Sequence, residues 1–170
     1  MKKTILAICL VGSLACLAGC EKYDDLFPEY CHKVLNIKDG GERDVTLKAG
    51  NDTEYKFSVM KSGSEASASV SGFVSSMNEA EYKSYSGKYN ISQEYLTSEY
   101  YTLVDNNLSF SGQDRYKFVK VVFKTDAINT LQKTSGKKYA LPLKLVSNDA
   151  TVNDSIIILK PDIEVSTAAQ

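Results

Sequence analysis

The sequence predicts an all-β domain: an immunoglobulin-like sandwich of about eight strands with one short helix, or alternatively a small β-barrel. Three observations carry this expectation. After Tyr30, apolar residues recur at every second position through most of the chain, which is the period of a strand with one buried face. Turn signals such as Asp39-Gly40-Gly41 and Ala49-Gly50-Asn51-Asp52 break these runs at short intervals, as in sandwiches. Nothing repeats at a fixed period, which sets propellers and solenoids aside.

The strands follow in order. Val34-Leu35-Asn36-Ile37 is a first short strand, and Val45 and Leu47 alternate with polar neighbours in a second. Tyr55, Phe57 and Val59 should share one face of a third. The serine-rich stretch around residues 62–76 has a linker-like composition. Yet Val70, Gly72 and Val74 alternate with Ser69, Ser71, Phe73 and Ser75, which predicts a strand over 66–75. Asn78 and Glu81 have the spacing of a helix capping box, which predicts a short helix over about 79–86 with Gly87 as its stop.

Downstream, Tyr100 to Asp105 and Leu108 to Gly112 read as strands around an Asp105-Asn106-Asn107 turn. The strongest alternation is in residues 115–124, where Val119, Val121 and Phe123 share a face. Residues 126–138 read as a possible helical turn. Leu141, Leu143 and Leu145 then alternate in a strand whose Pro142 cannot donate to a ladder, so an edge position, or one with that nitrogen outward, is expected. Ile156 to Leu159 is unbroken apolar sequence, the mark of a strand near the middle of a sheet.

Ahead of this body, Lys2 and Lys3 precede a nearly continuous apolar run from Ile5 to Leu17. The run is shorter than the ~20 residues a spanning helix needs and suits a signal-peptide core. Leu17-Ala18-Gly19-Cys20 resembles the lipobox of bacterial lipoproteins, which implies acylation of Cys20 and cleavage before it. Cys16 is a weaker competitor, because Ser13 stands where leucine is preferred. Two acyl chains or more anchor a protein stably to a bilayer. Next come Glu21, Lys22, Asp24 and Asp25, a stretch resembling the acidic export signal of Bacteroidota surface lipoproteins. That resemblance implies the outer face of the outer membrane. The expected divisions are a signal peptide over 1–19, an acidic tether over 20–29, the sandwich over 30–161 and a polar tail over 162–170.

Cleavage takes away Lys2 and Lys3 and so moves the formal net charge from −1 to −3. Basic residues are scattered rather than gathered on one stretch, so no nucleic-acid partner is expected. Cys31 would be the one thiol left besides Cys20, which leaves no disulfide framework within one mature chain. His32 is the sole histidine, and adjacent strand residues point to opposite faces, so Cys31 and His32 should not share a metal or form a nucleophile pair. Glu79 and Glu81 lie two apart on the predicted helix and diverge. There is no phosphate loop and no Gly-x-Ser-x-Gly elbow. No catalytic set, metal site or cofactor is expected.

Tyrosine is the most unusual element: Tyr82, Tyr85, Tyr89, Tyr95, Tyr100 and Tyr101 fall within twenty residues. Aromatic rings with a polar tip suit recognition surfaces, and these six are the candidate ligand-binding residues. The competing expectation is that they cover the sandwich, with Tyr82 and Tyr85 pinning the helix to a sheet. The absence of tryptophan weighs against a sugar-stacking platform.

Residues 30–161 resemble the uncharacterised domain found at the N-terminus of many Bacteroidota surface lipoproteins, including family-18 endoglycosidases and glycan-binding proteins. The resemblance rests on "HKVLNIKDGGERDVTLKAG", "SEYYTLVDNNLSFSGQ" and "KYALPLKLVSND" with the Ile-rich strand that follows. It implies an immunoglobulin-like fold and a setting in glycan capture at the cell surface, and it brings no catalytic residues. The expected function is a non-enzymatic glycan-binding or spacer component of a polysaccharide-utilisation system. Its partners would be the membrane through the lipid anchor, polysaccharide, and outer-membrane glycan-uptake proteins. Alternatives are an adhesive or pilus-like subunit assembled by edge-strand pairing and a small glycan hydrolase.

Overall fold

A computed structural model describes residues 31–65 and 67–164. The lipid-attachment candidate Cys20 and the export-signal candidates Glu21, Lys22, Asp24 and Asp25 lie outside them. The described chain forms β1 (Val34–Ile37), β2 (Gly41–Lys48), β3 (Thr53–Ser62), β4 (Val70–Ser76), α1 (Glu79–Tyr89), β5 (Glu94–Tyr95), β6 (Tyr101–Val104), β7 (Asn107–Phe110), β8 (Tyr116–Phe123), α2 (Thr125–Ser135), β9 (Tyr139–Val146), β10 (Thr151–Asn153) and β11 (Ile156–Glu164). The all-β expectation holds, with eleven strands among the described residues rather than about eight, and two α-helices rather than one.

Two separate sheets make the layers, so the architecture is a sandwich rather than a closed barrel. One is five-stranded, in the order β10-β1-β3-β8-β6; the other is six-stranded, in the order β2-β11-β9-β4-β7 with β5 paired in parallel to β9 off this path. Most neighbours are antiparallel, while β1 pairs β10 and β11 pairs β2 in parallel. Between the sheets, Leu35, Phe57, Val59, Val119, Val121 and Phe123 of the first meet Leu47, Val74, Phe110, Leu143, Ile157 and Leu159 of the second in one core. These are the residues the alternation selects, because period-two spacing places them on one face of each strand.

Several local expectations are corrected. The strand predicted over 66–75 pairs only from Val70 onward, so β4 is Val70–Ser76. Gly63 makes the chain reversal ahead of it: its φ is +105°, and a Cβ would lie 2.3 Å from the His32 carbonyl oxygen. The inward face of β3 continues past Val59 to Lys61, a buried lysine whose ammonium donates to the carbonyls of Ala68 at 2.9 Å and Gly112 at 2.8 Å. Residues 125–135 form a full helix instead of a turn, because Ile128 enters the core and Gly136 ends it in the left-handed region. β11 runs through Pro161 to Glu164, paired with β2 as far as Lys48.

Pro142 is not on an edge. β9 lies between β11 and β4, and Pro142 falls one residue beyond the last register pair with β4, Ser76 with Leu143. The Met77 amide donates to the Pro142 carbonyl at 3.0 Å. In an unbroken antiparallel ladder the amide at 142 would return a bond to the Met77 carbonyl. Proline has no such hydrogen, and the Tyr95 hydroxyl donates to that carbonyl instead, at 2.8 Å.

The faces of β9 and β11 turned away from the core are also apolar. Ala140 and Ile158 pack with Tyr82 of α1 in a second cluster, edged by Tyr85, Ile91, Tyr95 and Ile156. This explains the unbroken Ile156 to Leu159 run, which is covered on both sides.

Tyr95→Phe should lower stability by about 1–2 kcal/mol in urea unfolding, since it strands a buried carbonyl. Adding Pro142→Ala should recover part of that loss by restoring a ladder amide. Equal losses with and without the second change would contradict the substitution of hydroxyl for amide.

Candidate functional site

α1 brings Tyr82, Tyr85 and Tyr89 to the outer face of the six-stranded sheet. Its start is fixed by the predicted capping box: Asn78 Oδ1 accepts from the Glu81 amide at 2.8 Å, and Glu81 Oε2 accepts from the Asn78 amide at 2.9 Å. The helix passes through Gly87 and stops at Asn90, in the left-handed region at φ 56°, correcting the expected stop. Lys144 of β9 donates to Glu81 Oε1 at 2.6 Å and ties the first turn to the sheet. That hydrogen bond, with the one from the Asn78 backbone, holds the Glu81 carboxyl below its ordinary range. A lowered carboxylate suits an ion pair and opposes use as a general acid.

The six candidate tyrosines divide sharply. Tyr82 is 3% exposed and donates to the Gln93 carbonyl at 3.0 Å. Burial, reinforced by Glu42 and Glu94, pushes its hydroxyl up to about 12. Tyr95 is committed to Met77 and packs 5.9 Å from Tyr82, centroid to centroid. Tyr101 is buried in the main core, with Tyr100 packed against it. These four belong to the fold, as the covering expectation had it.

Tyr85 and Tyr89 differ. Four residues apart, they lie on one helical face, with ring centroids 4.5 Å apart and planes 39° apart. Tyr85 is half-buried against the second cluster, whereas Tyr89 is 51% exposed. The Lys88 ammonium lies 5.1 Å from the Tyr89 ring centre. Two adjoining clefts share this pair. One, of about 740 Å³, runs between α1 and β9 past Glu81, Ser84, Lys88 and Lys144. The other, of about 600 Å³, is walled by Asp39, Gly40, Gly41, Asp154 and Ser155. Asp39 and Asp154 take the left-handed region at φ 57° and 43° in the β1–β2 and β10–β11 turns. The arrangement offers two aromatic faces flanked by hydroxyls, ammonium groups and carboxylates.

Elsewhere, Cys31 and His32 stand in a turn before β1 rather than on a strand, correcting the opposite-face expectation. His32 Nδ1 is 3.3 Å from Glu65 Oε1 at a polar cleft that also includes Asp149. Asp149 accepts from the Ser71 amide and hydroxyl and from the Ser147 hydroxyl. Its oxygens are thereby committed to holding the β9–β10 connection against β4. Among the described residues no group of three or more His, Cys, Asp or Glu is placed to hold a metal ion. No described helix is long and apolar enough to cross a membrane.

Sequence reasoning missed two exposed rings on the other sheet, Tyr116 (48% exposed) and Phe118 (52%). Their signal was present: they occupy the opposite phase of β8 from Val119, Val121 and Phe123, where polar residues are expected.

Fold and site together define a two-sheet sandwich whose helix-covered face carries a stacked tyrosine pair in a cleft. Residues 28–152 match a family described as "-like, N-terminal domain". The chain belongs to that family of N-terminal domains. No curated protein matches. Among solved structures, a candidate carbohydrate-binding protein from Bacteroides ovatus is 17% identical, with a TM-score of 0.60 over 75% of this chain and 36% of its own. A second Bacteroides ovatus protein, of unknown function, is 19% identical with a TM-score of 0.59 over 78% and 45%. The Bacteroides thetaiotaomicron protein EndoBT-3987, solved with a Man5GlcNAc product, is 17% identical with a TM-score of 0.52 over 76% and 30%. The chain spans less than half the length of these three structures, and at such identities the likeness is one of fold.

The Glu81 interactions make a pH prediction. Because its folded pKa lies below the ordinary 4.5, its contribution to stability is complete above that value and is lost as pH falls through the lowered one. Glu81→Gln should flatten this acid limb of a urea-midpoint profile. Asn78→Ala should cost about 1 kcal/mol at neutral pH.

Proposed function

We propose that this chain is a non-catalytic, lipid-anchored surface module that holds glycan in the cleft beside Tyr85 and Tyr89. The observation that carries the reading is the division among the tyrosines: four are committed to the fold, while Tyr85 and Tyr89 offer ring faces at a concave surface. Sugar rings present apolar C–H faces edged by hydroxyls, which matches aromatic faces edged by Glu81, Ser84 and Lys144. Fold likeness to a candidate carbohydrate-binding protein and to a protein solved with a glycan product supports this setting.

A catalytic reading has less support, since the carboxylate best positioned in the larger cleft, Glu81, is held ionised by Lys144. The adhesive reading loses the support of a Pro142 edge, because Pro142 lies on an interior strand. Cys20 would carry the acyl anchor, and Glu21, Lys22, Asp24 and Asp25 would direct it to the outer face of the outer membrane, beside glycan-uptake proteins.

Affinity electrophoresis through the uncharged polymers mannan, xylan and starch tests the binding. At least one polymer should retard the protein, and Tyr89→Ala should weaken that retardation about tenfold, the order of an aromatic stacking contact. Retardation by none of them, with far-UV circular dichroism unchanged, would overturn the cleft as a glycan site. In cells, Cys20→Ala should abolish incorporation of labelled palmitate and release the protein from the membrane fraction. Unchanged fractionation would overturn the anchor.

A further inference from the structure

Among the described residues no helix covers the outer face of the five-stranded sheet as α1 covers that of the other, and the composition of this face is not that of an idle solvent face. Tyr116 and Phe118 project from it as half-exposed rings, two residues apart on β8. In the ladder with β3, Tyr116 stands opposite Met60 and Phe118 opposite Ser58, while Asn36 of β1 completes the Met60 row. Each ring carries a cation. Lys38 Nζ is 5.9 Å from the Tyr116 ring centre, and Lys56 Nζ is 4.1 Å from that of Phe118.

The charge on the face is one-sided. On β3, β8 and the residue that follows β1 its charged groups are Lys56, Glu54, Lys120 and Lys38, and Glu54 pairs with Lys120 at 3.8 Å. Lys38 and Lys56 have no carboxylate partner among the described ion pairs. A ring contact of this kind contributes only about 0.5–1 kcal/mol at an exposed site, so both ammonium groups can turn to an incoming anion. A ligand suited to this surface presents a flat apolar face to a ring and a negative charge to the neighbouring ammonium.

We infer that this face is a second binding surface, which takes an acidic polysaccharide built from uronic-acid units. The pyranose C–H face stacks on Tyr116 or Phe118, and the ring carboxylate pairs with Lys38 or Lys56. The choice of a sugar polymer rests on the glycan-binding reading above, whereas the choice of an acidic one rests on these lysines. The surface lies on the opposite sheet from the Tyr85–Tyr89 cleft, so the two sites are separable by substitution.

The test is affinity electrophoresis of the purified protein through polygalacturonate, its methyl ester and poly-glutamate, with flotation on anionic phospholipid vesicles as a further arm. Polygalacturonate should retard the protein, and the uncharged methyl ester should do so far less. Raising sodium chloride from about 0.05 to about 0.5 M should reduce retardation at least about fivefold, as screening of exposed charges requires. Phe118→Ala and Lys56→Gln should each weaken it, whereas Tyr89→Ala should leave it unchanged. Melting curves of Phe118→Ala and Lys56→Gln should match the parent, because both side chains are exposed. Four results would overturn the inference: no retardation by polygalacturonate, equal retardation by the methyl ester, equal or stronger capture by poly-glutamate or vesicles, or loss in Tyr89→Ala with Phe118→Ala unaffected. The last would leave the cleft reading standing alone.

Discussion

The burial of β9 and β11 on both faces is the constraint on which the rest of the structure depends. Leu141, Leu143, Leu145, Ile157 and Leu159 fill the space between the sheets, and Ala140 and Ile158 are equally buried on the other side. An apolar patch on an interior strand costs roughly 1.5–3 kcal/mol per large side chain if it is left in water. Something must therefore lie over it, and α1 with its following loop does so. The cover is held chiefly by tyrosines, by a capping box and by Lys144, since the helix has no continuous apolar stripe of its own.

Pro142 shows how closely sheet and cover are joined. A proline in an interior strand leaves a carbonyl unanswered, and the hydroxyl that answers it comes from Tyr95, at the far end of the cover segment. The same segment thus shields Ile158 and completes the ladder. Its helix also projects Tyr89 to solvent beside the β1–β2 and β10–β11 turns, so the candidate cleft arises where the cover meets those turns.

The two ring-bearing surfaces differ in their electrostatics. In the cleft, Glu81 and Lys144 neutralise each other and the Asp39 and Asp154 turns add negative charge, which suits a ligand recognised by hydroxyls and ring faces. On the outer face of the other sheet, Lys38 and Lys56 stand over rings with no carboxylate partner among the described residues, which suits an anion. A module with one mildly acidic and one cationic surface would, with the anchor proposed above, bring two kinds of polymer segment together.

Much of the fold was legible from residue order, because strand burial repeats every two residues and the core phase shows in runs such as Tyr55-Phe57-Val59 and Val119-Val121-Phe123. The capping box at Asn78 and Glu81 was legible for a similar reason, being a contact three residues long. What needed three dimensions was every relation across the chain. The interior place of Pro142 depends on Tyr95, 47 positions earlier in the sequence. The split of the tyrosines depends on which faces of β9 and β11 require cover. The burial of Lys61 depends on carbonyls of Ala68 and Gly112 brought to it by two turns. Alternation states that a side chain faces one way; only packing decides whether a core, a covering helix or water lies there.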